Sequence, residues 1–446
     1  MEMEKRYIFV SFSIFLFGFQ KRDIKIYDTI KHMKKTEVIE LNNLLIAQSG
    51  GPTAAINATL AGALTSAVAS GKIDHIFGAK HGIEGVLEDD LIDLDEVAVD
   101  PGKMELLMQT PSSVLGSCRY RLVGYEENKA EYEKIIATLQ KYNIKYMIYI
   151  GGNDSMDTVE KLSNYCKKMN LDIYIVGAPK TIDNDLEGID HTPGFGSAAK
   201  YIATTVSELE RDAKVYNQRS VTVVEVMGRN AGWLTASSAL SSLSGGEGPD
   251  LIYFSEHPFR FHEFSDQLER LFKEKDSLLI VVSEGLKDKY GEYISEWASE
   301  YKMDDFGHKQ IAGVAHTLSE YIRRVFNCKI RTIELSTMQR SSSHIMSLTD
   351  VEEARKLGYY AVEYALKKET GKMSSLVRKD GEEYKVEYLS IPVEIAANKE
   401  KMIPKDWIDE ENHKIREPLW NYLLPLIQGD YFGTTNNGIR KHLILF

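Results

Sequence analysis

Short apolar runs recur along the chain, and each ends in a glycine turn. Leu44 to Gln48 (LLIAQ) stops at Ser49-Gly50-Gly51, and Tyr146 to Ile150 (YMIYI) at Gly151-Gly152. Ile173 to Val176 (IYIV) stops at Gly177, Val221 to Val226 (VTVVEV) just before Gly228, and Leu278 to Ser283 (LLIVVS) at Glu284-Gly285. Runs this short and this continuously apolar read as strands buried on both faces. Stretches with helical character follow them: Asn57 to Ser70, a segment from Ser155, and Ala231 to Ser242. Strand and helix alternating in this way predict an α/β chain with parallel sheets covered on both sides. In such sheets the turns after the strands line the ligand crevice, so polar residues in these turns are candidates for one shared site. Further on the pattern changes. Tyr384 to Val393 looks like a strand or hairpin, Lys399 to Ile427 like a helical cap, and Tyr431 to Phe446 carries little signal.

Composition narrows the class. The 446 residues suffice for two or three domains. A formal net charge of −12 argues against generic nucleic-acid binding, yet leaves room for a few local cations that hold a small phosphorylated substrate. The three cysteines, Cys118, Cys166 and Cys328, are widely spaced with no C-x-x-C, so neither a disulfide framework nor a zinc site is expected. A reducing, cytoplasmic setting fits. Tyr7 to Phe19 is an aromatic-rich apolar run, too short for a membrane span of about 20 residues. As a signal peptide it lacks a net positive start and a small-x-small cleavage site. Residues 1–43 are expected to form an extension outside the fold, and no membrane partner is expected.

Four turns carry candidate chemistry. Gly50-Gly51-Pro52-Thr53 before a helix can offer backbone N–H groups to an anion, or can be a plain tight turn. It is not a P-loop, because no G-K-[ST] follows. Gly151-Gly152-Asn153-Asp154-Ser155 puts an amide, a carboxylate and a hydroxyl at a helix start. Capping accounts for one of them; three together suit phosphate and Mg2+, which takes oxygen ligands. Pro179-Lys180-Thr181-Ile182-Asp183-Asn184-Asp185 sets two carboxylates beside a lysine, a combination suited to phosphoryl transfer. Met227-Gly228-Arg229 brings an arginine able to chelate phosphate, although a lone arginine is more often half of a surface ion pair.

Taken in order, GGP, GGNDS, PKTIDND, TPGFGSA, VEVMGR, SEG and QR resemble the phosphofructokinase family, from about Leu44 to Gly429. The resemblance implies two similar Rossmann-like three-layer domains with the active site in the cleft between them. Residues 44–192 with part of 338–400 would form the phosphoryl-donor domain. Residues 193–337 with part of the C-terminal region would form the sugar-phosphate domain, and 400–446 a C-terminal helical cap and tail. By the same resemblance Asp183 is the base that takes the proton from the 1-hydroxyl of fructose 6-phosphate, with Thr181 positioning the sugar. Gly51, Arg119, Gly152 and Ser155 belong to the donor side. Met227, Gly228, Arg229, Glu284 and Arg340 belong to the sugar-phosphate side, and Arg331 would reach that side from a neighbouring subunit, which requires at least a homodimer. Asn153, Asp154 and Asp185 would hold Mg2+.

Two positions bear on the donor. ATP-using members typically read GGDGS and PGTIDND where this chain reads GGNDS and PKTIDND. Asp154 brings negative charge toward the α-phosphate of a nucleotide. Lys180 brings a cation that can neutralise a leaving phosphate. The pair resembles the pyrophosphate-dependent branch. Three departures from the family pattern stand out: Asn153 in place of an acid, Thr337 in place of His or Tyr, and Ser341-Ser342-Ser343 in place of a glycine-rich turn. The sequence also admits an ATP-dependent enzyme that tolerates Asp154, a noncatalytic sugar-phosphate-binding regulatory subunit, and sedoheptulose 7-phosphate as a side substrate.

Overall fold

The computed structural model describes residues 41–297, 313–381 and 383–446. The apolar run at Tyr7 to Phe19 lies outside them. Two sheets organise the rest. The first has seven strands: β1 (Asn43–Gln48), β2 (Ile76–Ala79), β3 (Leu91–Asp93), β4 (Ile144–Gly151), β5 (Tyr174–Pro179), β10 (Lys372–Arg378) and β11 (Val386–Pro392), in the order β11-β10-β5-β4-β1-β2-β3. Its middle is parallel, and β3 and β11 close the edges antiparallel. The second sheet is β7-β8-β6-β9, all parallel, from β6 (Ser220–Val226), β7 (Leu251–Tyr253), β8 (Ser277–Ser283) and β9 (Lys329–Glu334).

Both sheets are covered on both faces, as the continuous apolar runs predict. Successive side chains of a strand point to opposite sides. Leu45 and Ala47 enter one core with Met147 and Tyr149, whereas Leu44 and Ile46 enter another with Ile148 and Ile150. In the second sheet Val224 and Val226 face one core, Val221 and Val223 the other. Five helices do most of the covering: α1 (Ile56–Ser70), α2 (Asn153–Lys168), α3 (Phe195–Ala213), α4 (Val314–Val325) and α5 (Leu348–Leu366).

Although α5 follows the second sheet in sequence, it packs on the first, against α1. Two glycines permit the crossing: a Cβ at Gly62 would strike the Arg355 carbonyl, and one at Gly358 the Thr59 carbonyl. We expect Gly358→Val to cost about 1–3 kcal/mol through overpacking, read as a fall in Tm. An unchanged Tm would mean that the helices can separate freely.

Some expected bounds shift. α2 begins at Asn153 rather than Ser155, so Asn153 and Asp154 lie in its first turn. β5 runs through Gly177 to Pro179, paired with β4 as far as Gly151, and the Met156 side chain fills the space beside that glycine. Lys399 to Ile427 is not one helical cap. It holds a single turn at Lys405–Trp407, a two-residue strand pair Ile408–Asp409 with Lys414–Ile415, and a helix at Glu417–Leu423. Asp409 bonds Asn412 to form a turn between the paired strands, and Pro418 suits only the opening of the last helix. Among the described residues no helix is long and apolar enough to cross a membrane. All three cysteines are unpaired.

Candidate active site

Two cations close on the turn after β1. Lys180, from the turn after β5, donates through Nζ to the Gly51 carbonyl at 2.8 Å. Its Nζ lies 3.0 Å from where a Cβ of Gly50 would stand, and Arg340 Nη1 lies 3.2 Å from that of Gly51. The two glycines are therefore the space that the cations occupy. Lys180 is only 3% exposed. Burial lowers its pKa to about 8, opposed by the charges of Asp183 and Asp185 and aided by those of Arg340 and Arg119. Lys180 is thus a cation below that pH and neutral above it. If the cation serves turnover, kcat/KM falls as pH rises through about 8. Lys180→Arg, with a group that stays charged, would move that limb upward; a limb left near 8 would assign it to another group.

The turn after β5, which bears Lys180, also supplies the carboxylates. The Asp183 N–H donates to Thr181 Oγ1 at 3.1 Å. Burial raises the Asp183 carboxyl, while Lys180, Arg229 and Arg340 hold it down. Asp185 is pushed up to about 7, first by burial and then by the charge of Asp183. Between them Asn184 adopts the left-handed conformation with φ 57°, which Asn tolerates better than most residues.

Across from these lie the turns of the second sheet. Glu284 accepts from the Gly228 N–H at 3.3 Å, and Ser283 Oγ donates to the Gly228 carbonyl at 2.7 Å. A Cβ on Gly285 would collide with the Arg229 carbonyl, so only glycine lets the two turns meet. Burial, then the charges of Asp183 and Glu225, push Glu284 up to about 8. At neutral pH it is mainly the neutral acid, able both to donate to and accept from a hydroxyl. Arg340 also feels both Asp183 and Glu284.

Lys180, Asp183, Asp185, Arg229, Glu284, Arg340 and Arg119 therefore share one electrostatic neighbourhood. Thr181 stands beside Asp183, and Gly152 backs the Lys180 carbonyl, 3.6 Å from its Cβ position. Ser155 is buried with its hydroxyl against Gly151. Asp154 is exposed in the first turn of α2, where the helix dipole favours a carboxylate. Asn153 Oδ1 accepts from the Asp154 N–H at 2.8 Å, so its carbonyl already has one partner. Met227 packs against the core of the second sheet. Arg331 is not brought to the cluster: it lies on the edge strand β9 and pairs with Asp212 of α3 in the same chain. No group of three His, Cys, Asp or Glu side chains converges among the described residues. Mg2+ needs only one or two carboxylates beside water and phosphate, and the oxygens of Asp185, Asp154 and Asn153 are of the kind it takes.

Sequence reasoning missed a strap from the C-terminal region. The Lys401 N–H donates to the Asp185 carbonyl at 2.7 Å, and Lys401 Nζ to the carbonyls of Ile189 at 3.1 Å and Asp190 at 2.6 Å. Glu400 accepts from Asn230 at 2.7 Å. Glu225, on β6, caps α4 by accepting from the Ala315 N–H at 2.8 Å. No local motif marks Glu400 or Lys401.

The family model for phosphofructokinase matches residues 43–365. A pyrophosphate--fructose 6-phosphate 1-phosphotransferase of Halomonas elongata is 37% identical over 403 residues, 90% of this chain and 95% of that protein. One of the same name from Xanthomonas campestris pv. campestris is 36% identical over 406 residues, 90% of this chain and 96% of its own. The crystal structure of a pyrophosphate-dependent phosphofructokinase from Marinobacter aquaeolei superposes with a TM-score of 0.79 at 33% identity, covering 90% of this chain and 95% of that one.

Proposed function

This chain belongs to the phosphofructokinase family, and from that premise we propose that it moves a phosphoryl group from pyrophosphate to the 1-hydroxyl of fructose 6-phosphate, giving fructose 1,6-bisphosphate and phosphate. The observation that carries the donor is Lys180, buried on the Gly51 carbonyl where ATP-using members have glycine. The names of the relatives that match over 90% of this chain support the same donor.

The roles follow from the charges. Asp183 accepts the proton of the 1-hydroxyl; burial raises its carboxyl, and the charges of Lys180, Arg229 and Arg340 oppose that rise. Thr181 orients that carboxylate. Lys180 and Arg119 face the donor and stabilise the leaving phosphate, with backbone N–H groups at Gly51, Gly152 and Ser155 lining the rest. Met227, Gly228, Arg229 and Arg340 hold the sugar phosphate, and Glu284 hydrogen-bonds its hydroxyls. Asp185 and Asp154, with Asn153 and water, would hold Mg2+, which supplies positive charge to the transferring phosphate. Turns of the first sheet thus make the donor half, and turns of the second the sugar-phosphate half.

The transfer runs in both directions, because pyrophosphate is a weaker drive than ATP, and it serves glycolysis in the cytoplasm. Arg331 acts from a neighbouring subunit of a homo-oligomer, exchanging its pairing with Asp212 for the sugar phosphate. The reverse reaction tests the proposal. With fructose 1,6-bisphosphate, phosphate and Mg2+, phosphorus NMR should show pyrophosphate appearing with fructose 6-phosphate. No pyrophosphate, or equal formation without Mg2+, would count against it.

A further inference from the structure

The loop bearing Asp183 and Asp185 is held from behind through the one residue between them. Asn184 is fully buried. Its Oδ1 accepts from the Thr192 N–H at 3.0 Å, and its Nδ2 donates to Tyr422 Oη at 2.8 Å. Tyr422 Oη in turn donates to the Asp190 carbonyl at 2.6 Å. Both capacities of the phenol are thus used, and the bonds join the two ends of the loop. Tyr422 lies on Glu417–Leu423, beyond residues 43–365 that the family model matches. Its ring is fixed independently of Asn184. Trp233 and Trp407 pack on it at centroid distances of 5.1 Å and 5.7 Å, and the Arg378 guanidinium lies 4.8 Å from its centre.

We propose that Tyr422 is a positioning residue for the phosphoryl transfer, acting through Asn184 to set the directions of Asp183 and Asp185. Asn184 adjoins both carboxylate-bearing residues, so a turn of its left-handed backbone swings both. Misplacement of reacting groups by about 1 Å can cost on the order of 10²-fold in rate. The inference rests on the reading of Asp183 as the base.

Tyr422→Phe tests it, because the ring stays in its aromatic box and only the hydroxyl is lost. We expect kcat, corrected for folded protein, to fall about tenfold or more, with KM for fructose 6-phosphate within about twofold. Asn184→Gly removes the amide while keeping access to the left-handed backbone. If Tyr422 acts through Asn184, the double variant is no slower than the slower single variant. Trp407→Phe thins the same box but spares the hydroxyl, so it should lower Tm and leave kcat. A wild-type kcat in Tyr422→Phe, additive losses in the double variant, or an equal kcat loss in Trp407→Phe would overturn the proposal. Asp183→Asn measured alongside separates the two readings. An active Asp183→Asn removes the base itself; an inactive one beside a normal Tyr422→Phe removes only the positioning role.

Discussion

Asp183→Asn is expected to lower kcat by about 10²–10⁴-fold while fructose 6-phosphate still binds. The substitution keeps the shape of the side chain and removes its capacity to accept a proton. The wild-type carboxylate is buried, which favours its protonated form, and Lys180, Arg229 and Arg340 oppose that. Binding should survive, because Arg229, Glu284 and Arg340 remain in place; calorimetric titration of fructose 6-phosphate into the variant checks this. A kcat within tenfold of wild type would move the base elsewhere.

The second large effect concerns the donor. Replacing Asp154 and Lys180 together by glycine should cut kcat/KM for pyrophosphate about 10³-fold and raise turnover with ATP. Like charges about 4 Å apart repel by about 4 kcal/mol at an effective dielectric near 20, which is about three decades in rate. That is the barrier Asp154 would set against a nucleotide α-phosphate, and its removal admits ATP. Lys180 acts on the other side of the choice: without its ammonium on the Gly51 carbonyl, a leaving phosphate with no nucleoside anchor loses its cation. Lys180→Gly alone should lose pyrophosphate use and gain no ATP use. Steady-state kinetics on both single variants and the double one check the assignment. An unchanged donor ratio in the double variant would overturn it.

Much of this was legible in the chain because the signals are local. The strands from Leu44, Tyr146, Val221 and Leu278 are short continuous apolar runs, and burial on both faces of a parallel sheet requires such runs. Their glycines mark the turns where cations and carboxylates approach the backbone closely, as Lys180 and Arg340 do at Gly50 and Gly51. Asp183 and Asp185 were legible as neighbours because they sit two residues apart in the turn after β5. What escaped depends on contacts between distant segments. Lys401 reaches Asp190, and Tyr422 reaches Asn184, from a region whose composition reads as a helical cap. The pairing of Arg331 with Asp212 is likewise invisible in sequence, because it joins a strand edge to the end of a helix far earlier in the chain. Polar contacts of this kind have no periodicity, so only the folded chain discloses them.

The most direct measurement is formation of fructose 1,6-bisphosphate by the purified protein with fructose 6-phosphate and Mg2+, run in parallel with pyrophosphate and with ATP. Product with pyrophosphate and none above background with ATP is the expected result. Product with ATP alone would contradict the roles given to Asp154 and Lys180, and product with neither would contradict the reaction itself.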